Sequence, residues 1–105
     1  METREEVNNI ACQIIAYAGD AKSMFLEALD EADEGHLETA EEMMKEGAQA
    51  IVKAHEIHTQ LLVMEARDPE SVQITLMLVH ASNHLSVAEA TQNFAEKMLR
   101  LYQKK

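Results

Sequence analysis

Residues 71–102 read SVQITLMLVHASNHLSVAEATQNFAEKMLRLY, and the spacing of the apolar side chains in this stretch decides the fold. At about 100° of turn per residue, Val72, Leu76, Val79, Val87, Ala90, Phe94, Met98 and Leu101 form one seam with Asn83 in its middle. Ile74, Leu78, Ala81, Leu85, Ala88, Ala95, Leu99 and Tyr102 form a second seam facing nearly the opposite way. A helix at the edge of a lone bundle needs one apolar stripe. Two opposed stripes predict that one packs inside the subunit and the other against another subunit. A lone polar residue in such a seam can fix register and oligomer number, which is the part read for Asn83.

Working back from this helix, Asp68 and Pro69 read as an N-cap and first helical residue, where proline's missing N–H costs nothing. Before them, Leu37, Ala40, Met43, Met44, Ala48, Ile51, Ala54, Ile57, Leu61 and Met64 recur at helical spacing, and Gly35 stands where a left-handed helix-ending residue belongs. Thr3 with Glu6 three residues on has the form of a capping box. The expectation is an all-α chain, an antiparallel up-down-up three-helix bundle in a single domain over residues 1–105, with helices at about 3–34, 37–66 and 69–102. Gly19 and Gly47 fall inside the first two helices, where each costs about 1 kcal/mol against alanine. They are read as sites of close helix approach. The methionine stripe is read as core filling.

Composition agrees. Three glycines, one proline and two each of Phe and Tyr leave a chain dominated by good helix formers, and 47% hydrophobic residues suffice for one modest core. Nineteen acidic against nine basic side chains give a net charge of −10, which argues against nucleic acid and anionic membrane surfaces and suits a basic protein partner. Residues 71–88 carry no charge but contain Gln73, Thr75, His80, Ser82, Asn83, His84 and Ser86, too polar a set for direct membrane insertion. A lone Cys12 and the lack of a leader pattern at the N-terminus lead to the expectation of a cytoplasmic protein.

Between the seams of the third helix lie two flanks. One, with Ser82, Ser86, Glu89, Asn93, Glu96 and Arg100, is ordinary solvated surface; the other carries Gln73, His80, His84 and Thr91, uncharged groups able to donate and accept hydrogen bonds. His80 and His84, four apart, share a face. Three roles compete for them. A metal site lacks the third and fourth ligands and the H-E-x-x-H pattern. A hydrogen-bonded structural pair in a helix interface is the ordinary role. Nucleophilic catalysis needs a neutral imidazole with a free lone pair and a second group to hold its tautomer or product charge, and His84 is placed to be that group.

Several motifs resemble the lactose/cellobiose-type IIA proteins of the bacterial sugar phosphotransferase system. I-I-A-Y-A-G-D-A-K-S at residues 14–23, followed by L-E-A-L at 26–29, is similar to that family's A-G-x-A-R-S…x-E-A-L. E-G-H-L-E-T-A at 34–40 resembles its first turn, with His36 in place of aspartate, and A-H-E-I-H-T-Q-L-L at 54–62 resembles A-H-x-x-Q-T-x-L-I. L-V-H-A-S-N-H-L at 78–85 is similar to V-H-[AG]-Q-D-H-L-M, whose first histidine is phosphorylated and falls on His80. The resemblance implies a homotrimer, phosphorylated at His80 by the phosphocarrier protein HPr and discharged to a cysteine of the cognate IIB protein. His84 is then the stabiliser, with Gln73 and Thr91 as phosphoryl-binding candidates. His55 matches the second-helix histidine of the family and is read as a hydrogen-bonding or surface group; His36 and His58 are read as surface residues.

The match departs from the family at Ser82, where glutamine is usual, at Ser86, where methionine is usual, and at Asn83, where aspartate is usual. In the lactose branch that carboxylate binds a divalent metal near the trimer axis. Three neutral amides offer no comparable charge, so no metal and no other cofactor is expected to be required. Two functions follow, a phosphocarrier enzyme component and a non-catalytic helical interaction or regulatory protein keeping the same fold. The transported sugar is not legible, because a carrier that meets only protein partners need never touch it.

Overall fold

The computed structural model describes residues 3–104 as three helices, α1 (Arg4–Asp33), α2 (Leu37–Arg67) and α3 (Leu76–Gln103), forming a rod with extents of 53 × 20 × 17 Å. Thr3 opens α1 as expected, its hydroxyl oxygen accepting from the Glu6 N–H at 3.2 Å. Gly35, with φ at +88°, closes it. The His36 N–H reaches the Glu31 carbonyl at 2.9 Å and the Gly35 N–H the Ala32 carbonyl at 3.0 Å, so the crossed pair of bonds that ends a helix at a left-handed residue is complete. Three residues then suffice to reverse the chain.

The buried residues of α1 are Val7, Ala11, Ile14, Ala18, Ala21, Phe25, Ala28 and Ala32, alternating steps of four and three. Those of α2, including Ala40, Met44, Gly47, Ile51 and Ala54, step in the same way. This 3.5-residue period is that of knobs-into-holes packing at a shallow crossing angle. Alanine fills five of the eight buried positions on α1, so both neighbours can approach it closely, and α1 packs against α2 and α3 more extensively than these pack on each other.

Gly47 is the closest of these approaches. A Cβ built there would lie 2.5 Å from Cε1 of Phe25, whose ring is fully buried. Gly47→Ala is therefore expected to lower stability by about 1–3 kcal/mol through overpacking, outweighing a gain of about 1 kcal/mol in helix propensity. Urea unfolding checks this, and a midpoint at or above that of the native chain would show that the Phe25 ring can yield. Gly19 differs from expectation: nothing lies within 4 Å of a Cβ built there, so it permits no close approach within the chain.

The third helix begins at Leu76, seven residues later than expected. Asp68 does cap locally, its Oδ1 accepting from the Glu70 N–H at 3.1 Å, but the turn ends with the Ser71 N–H donating to the Asp68 carbonyl at 2.9 Å. A continuous helix would hold Val72 on the outer face with Leu76. Non-helical backbone instead lets Val72 reach the core at 3% exposure, whereas Leu76 is 85% exposed. Thr75 supplies the actual cap, its Oγ1 accepting from the Leu78 N–H at 3.1 Å and its carbonyl from the Val79 N–H at 3.1 Å.

From Leu76 onward the two seams separate as the spacing predicts. Leu78, Ala81, Leu85, Ala88, Ala95 and Leu99 are buried against α1 and α2, while Leu76, Val79, Val87, Phe94, Met98 and Leu101 lie exposed along the opposite side. The two members that precede the helix exchange places, Val72 going inside and Ile74 outside. Among the methionines, Met44 is buried and Met43 and Met64 pack against the core, whereas Met77 and Met98 are exposed on α3, so core filling describes only part of the stripe. At the far end Tyr102 donates to Asp33 at 3.2 Å, and the Asp33 carboxylate holds that phenol above its ordinary pKa range.

Candidate functional site

The first residues of α1, the end of α2 and the first turns of α3 meet at one end of the rod. Between α1 and α3 lies an open hollow of about 730 Å³ whose polar lining comes from Arg4, Asn8, Gln73, Thr75, His80 and Asn83. The late start of α3 matters here. His80 stands four residues beyond Leu76, and helical side chains lean toward the N-terminus, so its imidazole overlies the first turn of the helix, the positive end of its dipole.

His80 is exposed and His84 half-buried. Their Nε2 atoms lie 3.1 Å apart, and the rings meet edge to face with centroids 4.5 Å apart and an interplanar angle of 88°. Such a contact needs a proton on one Nε2 and a lone pair on the other. With His84 as donor, His80 carries its proton on Nδ1 and its Nε2 lone pair accepts that N–H at the edge of the hollow, becoming a free nucleophile when the N–H turns away from it. The same His84 N–H could then serve an oxygen of whatever group bonds to His80.

Gln73 shares the hollow with His80. Thr91 does not: it stands eleven residues further on, about 16 Å along the helix axis, and its hydroxyl donates to the Val87 carbonyl at 2.8 Å. The helical wheel placed it on the correct side but at the wrong height, and it drops out of the candidate site. Asn83 is exposed, on the outer seam and at the rim of the hollow.

His58 also departs from expectation. It is half-buried, and its Nε2 donates to Ser82 Oγ at 2.8 Å while the Ser82 hydroxyl donates to the Leu78 carbonyl at 3.1 Å. This relay joins α2 to α3 directly behind the His80 turn. A signal for it lay in the motifs, since His58 and Ser82 both stand where the related sequences carry glutamine. His58→Ala is expected to cost about 1 kcal/mol in urea unfolding, with His58→Gln recovering part of it; equal midpoints for all three chains would remove the relay from the energetics. His55 and His36 are exposed, their Nδ1 atoms lying 3.7 Å from Glu89 and 2.6 Å from Glu31 respectively.

Comparison with known proteins places these features. Residues 9–103 match the family model described as PTS system, Lactose/Cellobiose specific IIA subunit. The chain belongs to the lactose/cellobiose-specific IIA family of the phosphotransferase system. It is 34% identical over 101 residues to the PTS system lactose-specific EIIA component of Staphylococcus epidermidis, covering 96% of each chain. It is 35% identical over 100 residues to the lichenan-specific phosphotransferase enzyme IIA component of Bacillus subtilis, covering 95% of this chain and 90% of that one. The crystal structure of the PTS cellobiose-specific enzyme IIA from Bacillus anthracis superposes with a TM-score of 0.87 at 36% identity, over 99% of this chain and 93% of that one.

As a IIA component the chain is a phosphocarrier of a sugar phosphotransferase system. No helix among the described residues is long and apolar enough to cross a membrane. The divalent ion of the lactose branch does not fit the residues present: Asn83 offers a neutral amide, and no carboxylate among the described residues lines the hollow around it. A separate group of possible ligand atoms, on Glu31, Glu34 and His36, lies at the other end of the rod.

Proposed function

We propose that His80 is the phosphoryl acceptor of this IIA component, that it receives the group from HPr, and that it passes it to the cognate IIB protein in the cytoplasm. The observation carrying this reading is the exposed His80 ring whose Nε2 faces that of His84 at 3.1 Å. In the first step the Nε2 lone pair of His80 attacks phosphorus in line. The N–P bond forms as the bond to the donor atom of HPr breaks, the electron pair leaving with the donor. The three equatorial oxygens carry the charge, so positioning and electrostatics supply most of the catalysis. His84 donates its Nε2–H to one oxygen, and Gln73 is placed to donate to another. In the second step a cysteine thiolate of IIB attacks phosphorus from the opposite side, and the Nε2–P electron pair returns to His80.

The exposed strip of α3 supports a homotrimer in which three copies bury Val79, Val87, Phe94 and their neighbours around a threefold axis. Asn83 then joins its counterparts through amide hydrogen bonds. Nothing in the geometry favours the non-catalytic alternative. The test is intact-mass measurement after incubation with phosphoenolpyruvate, enzyme I and HPr, held at alkaline pH because a phosphoramidate is acid-labile. One phosphoryl adduct per chain, lost on acid treatment, is expected; no adduct with active donors would refute the reading.

A further inference from the structure

A phosphoryl group on His80 brings close to two negative charges to a chain already at −10, and His84 alone does not neutralise them. Among the described residues lining the hollow one carries a permanent charge, Arg4 in the first turn of α1. It is exposed, and no carboxylate lies within ion-pair distance of it among the described residues. One turn further along the same helix, Asn8 also lines the hollow, and its Oδ1 is buried with no hydrogen-bond partner among the described residues. A buried acceptor without a donor is uncommon. The i, i+4 spacing puts Arg4 beside it, and a guanidinium has five N–H donors in a planar fork, enough to serve the amide oxygen and two phosphoryl oxygens together.

We infer that Arg4 is a phosphoryl-binding catalytic residue of this site. It donates two N–H bonds to oxygens of the group on His80, and Asn8 Oδ1 accepts a third that holds the guanidinium in place. The inference rests on His80 being the acceptor. It assigns to α1 a task otherwise confined to α3 and the link before it. The N-terminal end of α1 contributes in the same sense, since its dipole also favours negative charge at this end of the rod.

The test compares Arg4→Gln and Arg4→Lys with the native chain in two measurements, the initial rate of phosphoryl uptake from HPr and the pH titration of the phosphoryl ³¹P resonance. Arg4→Gln is expected to slow uptake by about tenfold or more while still ending with one phosphoryl group per chain. Its phosphoryl pKa is expected to rise, because a nearby cation favours the dianion, and Arg4→Lys is expected to restore the pKa in part. Thermal unfolding should be unchanged in both, since the side chain is exposed. Native-like rate and titration in Arg4→Gln would overturn the assignment while leaving His80 as acceptor. A slowed rate with an unmoved ³¹P titration would overturn it too, making Arg4 a docking contact for HPr. Failure of the native chain itself to take up phosphate would refute the His80 reading and, with it, this one.

Discussion

His80→Ala is expected to abolish phosphoryl uptake while leaving fold and assembly intact. The ring is exposed and, among the described residues, its side-chain hydrogen bond is with His84, so its removal opens no cavity, and alanine is the best helix former at that position. The chemistry has no substitute, because attack on phosphorus needs the lone pair that the ring supplies. His84→Ala is expected to show a graded loss of about a hundredfold in uptake rate, the scale of deleting one donor to a charged transition state. The final adduct should remain a single phosphoryl group. Mass measurement at alkaline pH with time-resolved sampling distinguishes the two. An undiminished adduct in His80→Ala would move the acceptor elsewhere, with His84 the first position to examine.

A second large effect is expected from Val87→Asp. Val87 lies midway along the exposed strip of α3, at 49% exposure in the single chain. If three copies bury that strip, the substitution places three carboxylates in an apolar seam around one axis, where an unpaired charge costs several kcal/mol and each repels the others. It also removes an apolar side chain worth about 1.5–3 kcal/mol when fully buried. Sedimentation should show conversion from trimer to monomer with helicity retained, since the inner seam is untouched. Asn93→Asp, on the solvated flank, adds the same charge and is expected to leave the trimer unchanged. A trimeric Val87→Asp chain would place the contact on another face.

Much of this architecture was legible because it rests on local or periodic signals. Thr3, Gly35 and the alternating three- and four-residue steps of α1 each specify backbone or facing direction without knowledge of the rest of the chain. The two seams of α3 separated into buried and exposed sides for the same reason. The failures share a different cause. Asp68 and Pro69 carry a genuine helix-start signal, and the local turn they form is real, but burial of Val72 prevails over its continuation. Thr91 shows that periodicity gives direction around an axis and says nothing of height, which removes a residue from a site just as surely. The bond from His58 to Ser82 joins residues 24 apart in sequence, and only the packing of α2 on α3 brings them together. Arg4 and Asn8 were invisible for that reason also, standing at the opposite end of the chain from the histidines they adjoin.

Thr75 has a further consequence. Thr75 lines the same hollow as His80, yet the residue is only 8% exposed and its hydroxyl oxygen is engaged by the Leu78 N–H. A phosphohistidine is useful to a carrier because its group remains at high transfer potential; shifted to an alcohol, it would become a stable ester that a thiolate could not readily collect. By using that hydroxyl to start the helix and burying it, the fold keeps an alcohol of the same hollow from taking the group that His80 is proposed to carry.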